Sequence, residues 1–90
     1  MGEADAEKRL KKIEEDLSFC EKMLNKEARI DLAKRMLEDL LRETRGLSSV
    51  NLPRPIKARL SDIELKIRIL YHRANALLSL QEEQGKYNSL

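Results

Sequence analysis

The sequence predicts an all-α fold, an antiparallel three-helix bundle with coiled-coil-like packing. Its three glycines and two prolines lie at the ends of the chain or within residues 46–55, which leaves two long tracts free of helix breakers. Both tracts are rich in Leu, Glu, Lys, Arg and Ala, which lose little side-chain entropy in a helix. Apolar residues recur in both tracts with alternating spacings of three and four, the pattern of a helix packed lengthwise against a neighbour.

The first tract contains two such apolar seams. They comprise Leu10, Ile13, Leu17, Cys20 and Leu24, followed by Ile30, Ala33, Leu37, Leu40 and Thr44. The seams are out of register, because continuing the first would bring Glu27 and Asp31 into the core. We therefore expect a turn at residues 25–28, between helix one (about 5–24) and helix two (about 27–45). The alternative is a continuous helix, which would give a long two-helix antiparallel hairpin.

Helix two is expected to stop at Gly46, because glycine is the commonest residue just beyond a helix end and Arg42 and Arg45 suit the negative C-terminal pole. The loop 46–54 that follows carries three apolar residues, Leu47, Val50 and Leu52. An apolar loop of this kind usually folds over the end of a bundle. The alternative is a loop that docks onto a partner.

Helix three is expected from Pro55 to about residue 84, since proline suits the first turn of a helix. Its seam is the longest in the chain and comprises Ile56, Leu60, Ile63, Ile67, Leu70, Ala74 and Leu77. Further apolar residues lie outside that seam: Leu65, Ile69, Tyr71, Leu78 and Leu80. This is more apolar surface than one neighbouring helix can cover, so helix three should contact two helices, or one helix and a partner. Residues 85–90 are expected to form a flexible tail.

Length and composition restrict the class of protein. Ninety residues suit one domain, residues 1–90. A net charge of +2 and only three aromatic residues do not favour nucleic-acid binding. No segment approaches the ~20 apolar residues of a membrane span. The single cysteine cannot form an intramolecular disulfide, so we expect a cytoplasmic protein, with the nucleus as the alternative.

The sequence offers little for catalysis. Cys20 lies on a helix seam, where a buried and unreactive thiol is expected. His72, the one histidine, has no second metal ligand at a suitable spacing. Glycine-rich phosphate loops, the zinc-protease helix motif and cysteine pairs are absent from the sequence. We therefore expect neither an enzyme nor a cofactor or metal site.

The charges of helix three are more informative. Arg59, Lys66 and Arg73 recur every seven residues and therefore form a row along one flank of the seam. One hypothesis is that this basic row pairs with acids of helix two, namely Glu38, Asp39 and Glu43. A second is that it contacts an acidic surface of another protein, which arginine is well suited to bind. A third is that it binds nucleic acid or acidic lipid.

Part of the chain resembles the BAG domains, three-helix co-chaperone modules that bind the ATPase domain of the major heat-shock chaperone. The resemblance covers about 40 residues: Leu37-Glu38-Asp39-Leu40-Leu41, the loop with Leu52-Pro53, and Lys57-Ala58-Arg59 leading to Lys66-Ile67. It implies that acids near Glu38 and Asp39, and bases such as Arg59 and Arg68, contact that chaperone and promote nucleotide exchange.

A shorter segment is similar to the antiparallel coiled-coil domains of Rho-GTPase effectors. Their second helix often reads Lys-Ile-x-x-Leu, as do residues 66–70 here. This similarity implies a small-GTPase effector as an alternative function.

The sequence thus predicts a non-catalytic helical module that binds a folded protein partner through helices two and three. The candidate partner-binding residues are Glu38, Asp39, Arg59, Lys66, Arg68 and Arg73. The alternative is a self-assembly element, in which the surplus apolar residues Leu65, Ile69 and Leu78 close a homodimer.

Overall fold

The described residues form three helices. The computed structural model describes the backbone of residues 2–88, and the side chains of residue 2 and residues 4–83. The helices are α1 (Glu3–Asn25), α2 (Ile30–Ser48) and α3 (Arg54–Asn88), and the described residues contain no strand. The all-α three-helix fold is therefore confirmed, and the alternative of a two-helix hairpin is wrong. Short connections make α2 antiparallel to both of its neighbours, so that α1 and α3 run parallel.

The core is built from the three apolar seams. Every seam residue is buried except Leu77, which is half-buried at the end of the bundle. Ala6 and Met23 extend the core along α1. Thr44 is the one buried polar residue among those described, and its hydroxyl donates a hydrogen bond to the Leu40 carbonyl at 2.8 Å. This bond gives the buried hydroxyl a hydrogen-bond partner within α2, so no second polar side chain is needed in the core.

The turn between α1 and α2 lies where the seams lose register. Glu27 and Arg29 both adopt the left-handed conformation, with φ of 52° and 53°. The backbone N–H of Glu27 bonds to the Leu24 carbonyl at 3.1 Å, and that of Ala28 to the Met23 carbonyl at 3.0 Å, which caps the end of α1. Because two left-handed residues cannot continue an α-helix, α2 begins at Ile30 rather than at the predicted residue 27.

Glycine in this turn is expected to stabilise the protein. The double substitution Glu27→Gly and Arg29→Gly should raise the free energy of unfolding by about 1 kcal/mol, because left-handed φ costs an L-residue roughly 1–2 kcal/mol and glycine's extra freedom in the unfolded chain offsets part of the gain. Urea denaturation measures the change. Ala28→Gly is the matched control, since residue 28 has no positive φ, and it should lower stability slightly. A double variant less stable than its parent would contradict the prediction.

The end of α2 differs from the prediction. Gly46 was expected to stop the helix, but α2 continues to Ser48, and Gly46 has no positive φ. Burial of Leu47, which is 3% exposed, accounts for the difference because the extra turn places this side chain in the core. In the loop that follows, Leu52 is buried and Val50 is half-buried against the core. These two residues cover one end of the bundle.

Helix α3 is longer than either neighbour. It ends at Asn88 rather than at the predicted residue 84, so residues 85–88 of the expected flexible tail are helical and residues 89–90 lie outside the described part. One glycine, Gly85, weakens a helix by about 1 kcal/mol and does not by itself end it. The Cα atoms span 57 × 17 × 15 Å, and residues 79–83 are exposed because α3 extends beyond the other two helices.

Candidate protein-binding surface

A groove runs between α2 and α3 with a volume of ≈ 420 Å³. Its apolar floor comes from the buried Leu37 and Ile67 and the half-buried Leu41 and Tyr71. The rim is polar and consists of Arg35, Glu38, Arg42, Arg68 and His72. The groove thus combines an apolar floor with a mainly basic rim.

Helical spacing explains why these residues meet. Arg35, Glu38 and Arg42 follow one another at intervals of three and four along α2, so they share a face. On α3, Arg68 and His72 are one turn apart, and Tyr71 lies between that face and the seam. The Lys34 ammonium lies 5.7 Å from the centre of the Tyr71 ring, a cation–π contact that holds the ring over the α2–α3 boundary.

The bases of the rim have acidic neighbours outside the groove. Arg68 Nη2 donates a 2.9 Å hydrogen bond to Glu64 Oε1, and Arg45 Nε lies 3.6 Å from the same oxygen. Arg42 pairs with Asp39 on the outer face of α2. All three arginine side chains are more than half exposed, so these pairs weaken the guanidinium charges of the groove only in part. Among the groove-lining residues, Glu38 is the one acid.

The basic row of Arg59, Lys66 and Arg73 lies on the opposite flank of α3, towards α1. Arg59 Nη2 is 2.6 Å from Glu14 Oε1 and its Nη1 is 3.8 Å from Glu7 Oε1. Lys66 Nζ lies 3.8 Å from Glu21 Oε2. Arg73 has no carboxylate within 4.0 Å among the described residues.

The acids that pair with the row are not the predicted ones. We expected Glu38, Asp39 and Glu43 of helix two, but the partners are Glu7, Glu14 and Glu21 of α1, themselves seven residues apart. In two parallel helices, the residues that precede the seam positions of one face the residues that follow the seam positions of the other, and α1 is the helix that runs parallel to α3. Glu43 instead lines a second groove, between α1 and α2.

The six candidate residues therefore fall on different surfaces. Glu38 and Arg68 share the α2–α3 groove, whereas Arg59 and Lys66 pair with α1. Asp39 lies outside the groove and pairs with Arg42. The contribution of Tyr71 and His72 to the groove was not predicted, although both residues lie close to the seam of helix three.

The groove between α1 and α2 was also missed. It has a volume of ≈ 640 Å³, and three bases and one acid, Lys8, Arg9, Lys12 and Glu43, line it together with Ile13, Gly46, Leu47 and Val50. The apolar loop at Val50 could have indicated this groove. The bases of α1 could not, since they alternate with acids along the helix.

Cys20 lies in the core and is 0% exposed. Burial raises the pKa of its thiol from 9.0 to about 11, and the nearby Asp16 carboxylate adds to the rise. The thiol is therefore protonated at neutral pH and poorly suited to act as a nucleophile. Among the described residues, no group of three or more His, Cys, Asp and Glu side chains is arranged to hold a metal ion.

No protein-family model matches this chain, and the searches of curated proteins and of solved structures found no match either. None of the described helices is both long and apolar enough to cross a membrane.

Proposed function

We propose that this chain is a non-catalytic interaction module that binds a folded protein partner through the groove between α2 and α3. The observation that carries the proposal is the combination of the apolar floor around Leu41 and Tyr71 with the charged rim of Glu38, Arg42 and Arg68. Tyrosine and arginine are enriched among the residues that dominate protein–protein binding energies. The half-buried Tyr71 lies beside this apolar floor, where a partner would remove the ring from water.

The expected partner surface is apolar with acidic neighbours. An apolar side chain of the partner would cover Leu41 and the Tyr71 ring, and carboxylates beside it would bind the guanidinium groups of Arg42 and Arg68. Glu38 would accept a hydrogen bond from a basic or neutral donor of the partner. Charges at the rim would contribute mainly to specificity and to the rate of association.

The ATPase domain of the heat-shock chaperone is the first partner to test, because of the resemblance to BAG domains. Two of the residues that the resemblance implicates, Glu38 and Arg68, lie in the groove, whereas Asp39 and Arg59 lie outside it. Arg68 stands where BAG domains usually carry glutamine. Because the proposed contact uses the Arg68 guanidinium, Arg68→Gln is expected to weaken binding through the groove.

The decisive experiment measures binding of the purified ATPase domain to the parent and to the double variant Arg42→Glu with Arg68→Glu. We expect binding to weaken at least about tenfold, because two attractive charges become repulsive. The matched control is Lys11→Glu with Lys22→Glu, which makes the same change of charge on exposed positions of α1. Circular dichroism checks that each variant retains its helices.

Two outcomes decide between the general and the specific proposal. If the parent does not bind the ATPase domain, the chaperone is the wrong partner. Proteins captured from a lysate by the parent are then compared with those captured by the two double variants. If the groove variant retains every partner that the parent and the control capture, the groove is not the binding site and the proposed function is wrong.

A cytoplasmic or nuclear location is part of the proposal. Its support is the single cysteine, Cys20, which is buried as a free thiol and has no partner for an intramolecular disulfide.

A further inference from the structure

We infer that the solvent-facing side of α3 is a second docking surface, and that it fits an acidic amphipathic helix of another protein. This outer face is defined by residues spaced 4-3-4-3-4 along the helix: Ala58, Asp62, Leu65, Ile69, His72 and Ala76. Such spacing places all six side chains in one stripe, opposite the buried seam. None of them except His72 lines the α2–α3 groove, so the inference does not depend on the proposed function.

The centre of the outer face is apolar and exposed. Leu65 and Ile69 are 60% and 59% exposed, and they lie one helical turn apart, so their side chains form one continuous patch. Ala58 and Ala76 continue the stripe at either end with small side chains, which let a neighbouring helix approach closely. The stripe has the same spacing as the three seams of the core, yet none of the described helices covers it.

Basic residues border the apolar patch on both sides. Arg59, Lys66 and Arg73 lie along the edge that faces α1. Arg68 lies along the other edge, and Lys57 and Glu64 lie further out on that flank. Asp62 is the single acid on the outer face itself. A helix that packs on this stripe would place its own flanking positions against these bases, where Glu or Asp would be favoured and Lys or Arg would be disfavoured.

The ion pairs already present at the edges do not prevent a docking helix from binding these bases. Arg59, Lys66 and Arg68 contact acids of their own chain, but their side chains are 45%, 52% and 54% exposed. Exposed pairs of this kind contribute little and re-form easily with a new carboxylate. Arg73, for which the described part of the chain offers no carboxylate within 4.0 Å, would gain its first partner.

A second copy of this chain fits the outer face less well. In an antiparallel pair of α3 helices each edge meets its own counterpart, so that Lys66 faces Lys66 and Arg59 faces Arg73. In a parallel pair the edge with Lys66 meets the edge with Arg68. Both arrangements place bases against bases around a small apolar patch, whereas an acidic helix pairs with both edges.

Two designed three-heptad peptides test the inference by calorimetry with the whole chain. Both carry leucine at the seam positions, and the flanking positions are glutamate in one and lysine in the other. We expect the glutamate peptide to bind, and its affinity to fall as salt is raised. Leu65→Gln with Ile69→Gln should weaken this binding at least about tenfold, since the patch supplies the buried apolar contact. Phe19→Gln is the matched control, because Phe19 is 51% exposed and lies on α1.

Each other result would overturn the inference. Equal binding of the lysine peptide would exclude recognition of acidic residues. Unchanged binding by the Leu65 and Ile69 double variant would exclude the outer face. Failure of the glutamate peptide to bind at all would exclude an acidic helix as the occupant. A parent dimer in sedimentation that the same double variant abolishes would show that a second copy covers this face.

Discussion

Ile67→Ala is expected to lower the free energy of unfolding by about 2–4 kcal/mol. Ile67 is 1% exposed and central in the longest seam, where α3 packs against its neighbours. Truncation removes most of the side chain, and the rigid helices around it cannot close the cavity, so lost contacts add to the lost burial. Urea denaturation followed by far-ultraviolet circular dichroism measures the change.

The chain supplies a control of the same residue type on the same helix. Ile69 is two positions further along α3 but 59% exposed, so Ile69→Ala should change the free energy of unfolding by less than about 0.5 kcal/mol. Helix propensity is equally affected in the two variants. Equal losses in stability would therefore contradict the packing of Ile67, because only burial distinguishes the two positions.

The core could be predicted from the sequence because helix periodicity and burial have the same cause. Residues three or four positions apart lie on the same face of a helix, and burial of that face favours apolar residues at those positions. The spacing of the apolar residues therefore indicates which face is buried. The loss of register between Leu24 and Ile30 likewise located the turn. The left-handed conformation of Glu27 and Arg29 could not be predicted from the spacing, since neither residue type favours positive φ.

The ends of helices were predicted less well. Gly46 carries the usual signal for a stop, but its local preference is worth about 1 kcal/mol, and burial of Leu47 one residue later outweighs it. At the far end of α3 the same local signal at Gly85 fails again, although residues 79–83 have no helix beside them. A single glycine therefore decided neither end: burial outweighed it in α2, and helix-forming neighbours such as Glu82 and Glu83 outweighed it in α3.

The neighbours of the candidate binding residues were harder to predict than the core. Heptad spacing correctly grouped Arg59, Lys66 and Arg73 on one flank, because that grouping is a property of one helix. Which neighbouring helix lies on that flank depends on how the bundle is arranged in space, and the sequence of one helix does not encode it. The groove that joins Glu38 to Arg68 across α2 and α3 could not be predicted for the same reason.

Reversing the charges of the row tests its role in the bundle. The double substitution Arg59→Glu with Lys66→Glu is expected to lower the free energy of unfolding by about 1–2 kcal/mol, because exposed ion pairs contribute about 0.2–1 kcal/mol each and here become repulsive contacts. The affected contacts are those of Arg59 with Glu7 and Glu14, and of Lys66 with Glu21. High salt should reduce the loss, since screening weakens interactions between exposed charges.

Compensating substitutions show whether the loss of stability comes from the ion pairs with α1 or from the change in net charge. Adding Glu14→Lys and Glu21→Lys to the double variant restores opposite charges across the interface and should recover most of the lost stability. Arg73→Glu alone should change stability little, because no described carboxylate lies within 4.0 Å of Arg73. If the double variant is as stable as the parent, the row does not brace α3 against α1. Its regular spacing of seven along the helix would then favour an external partner, and all three bases would be available to bind it.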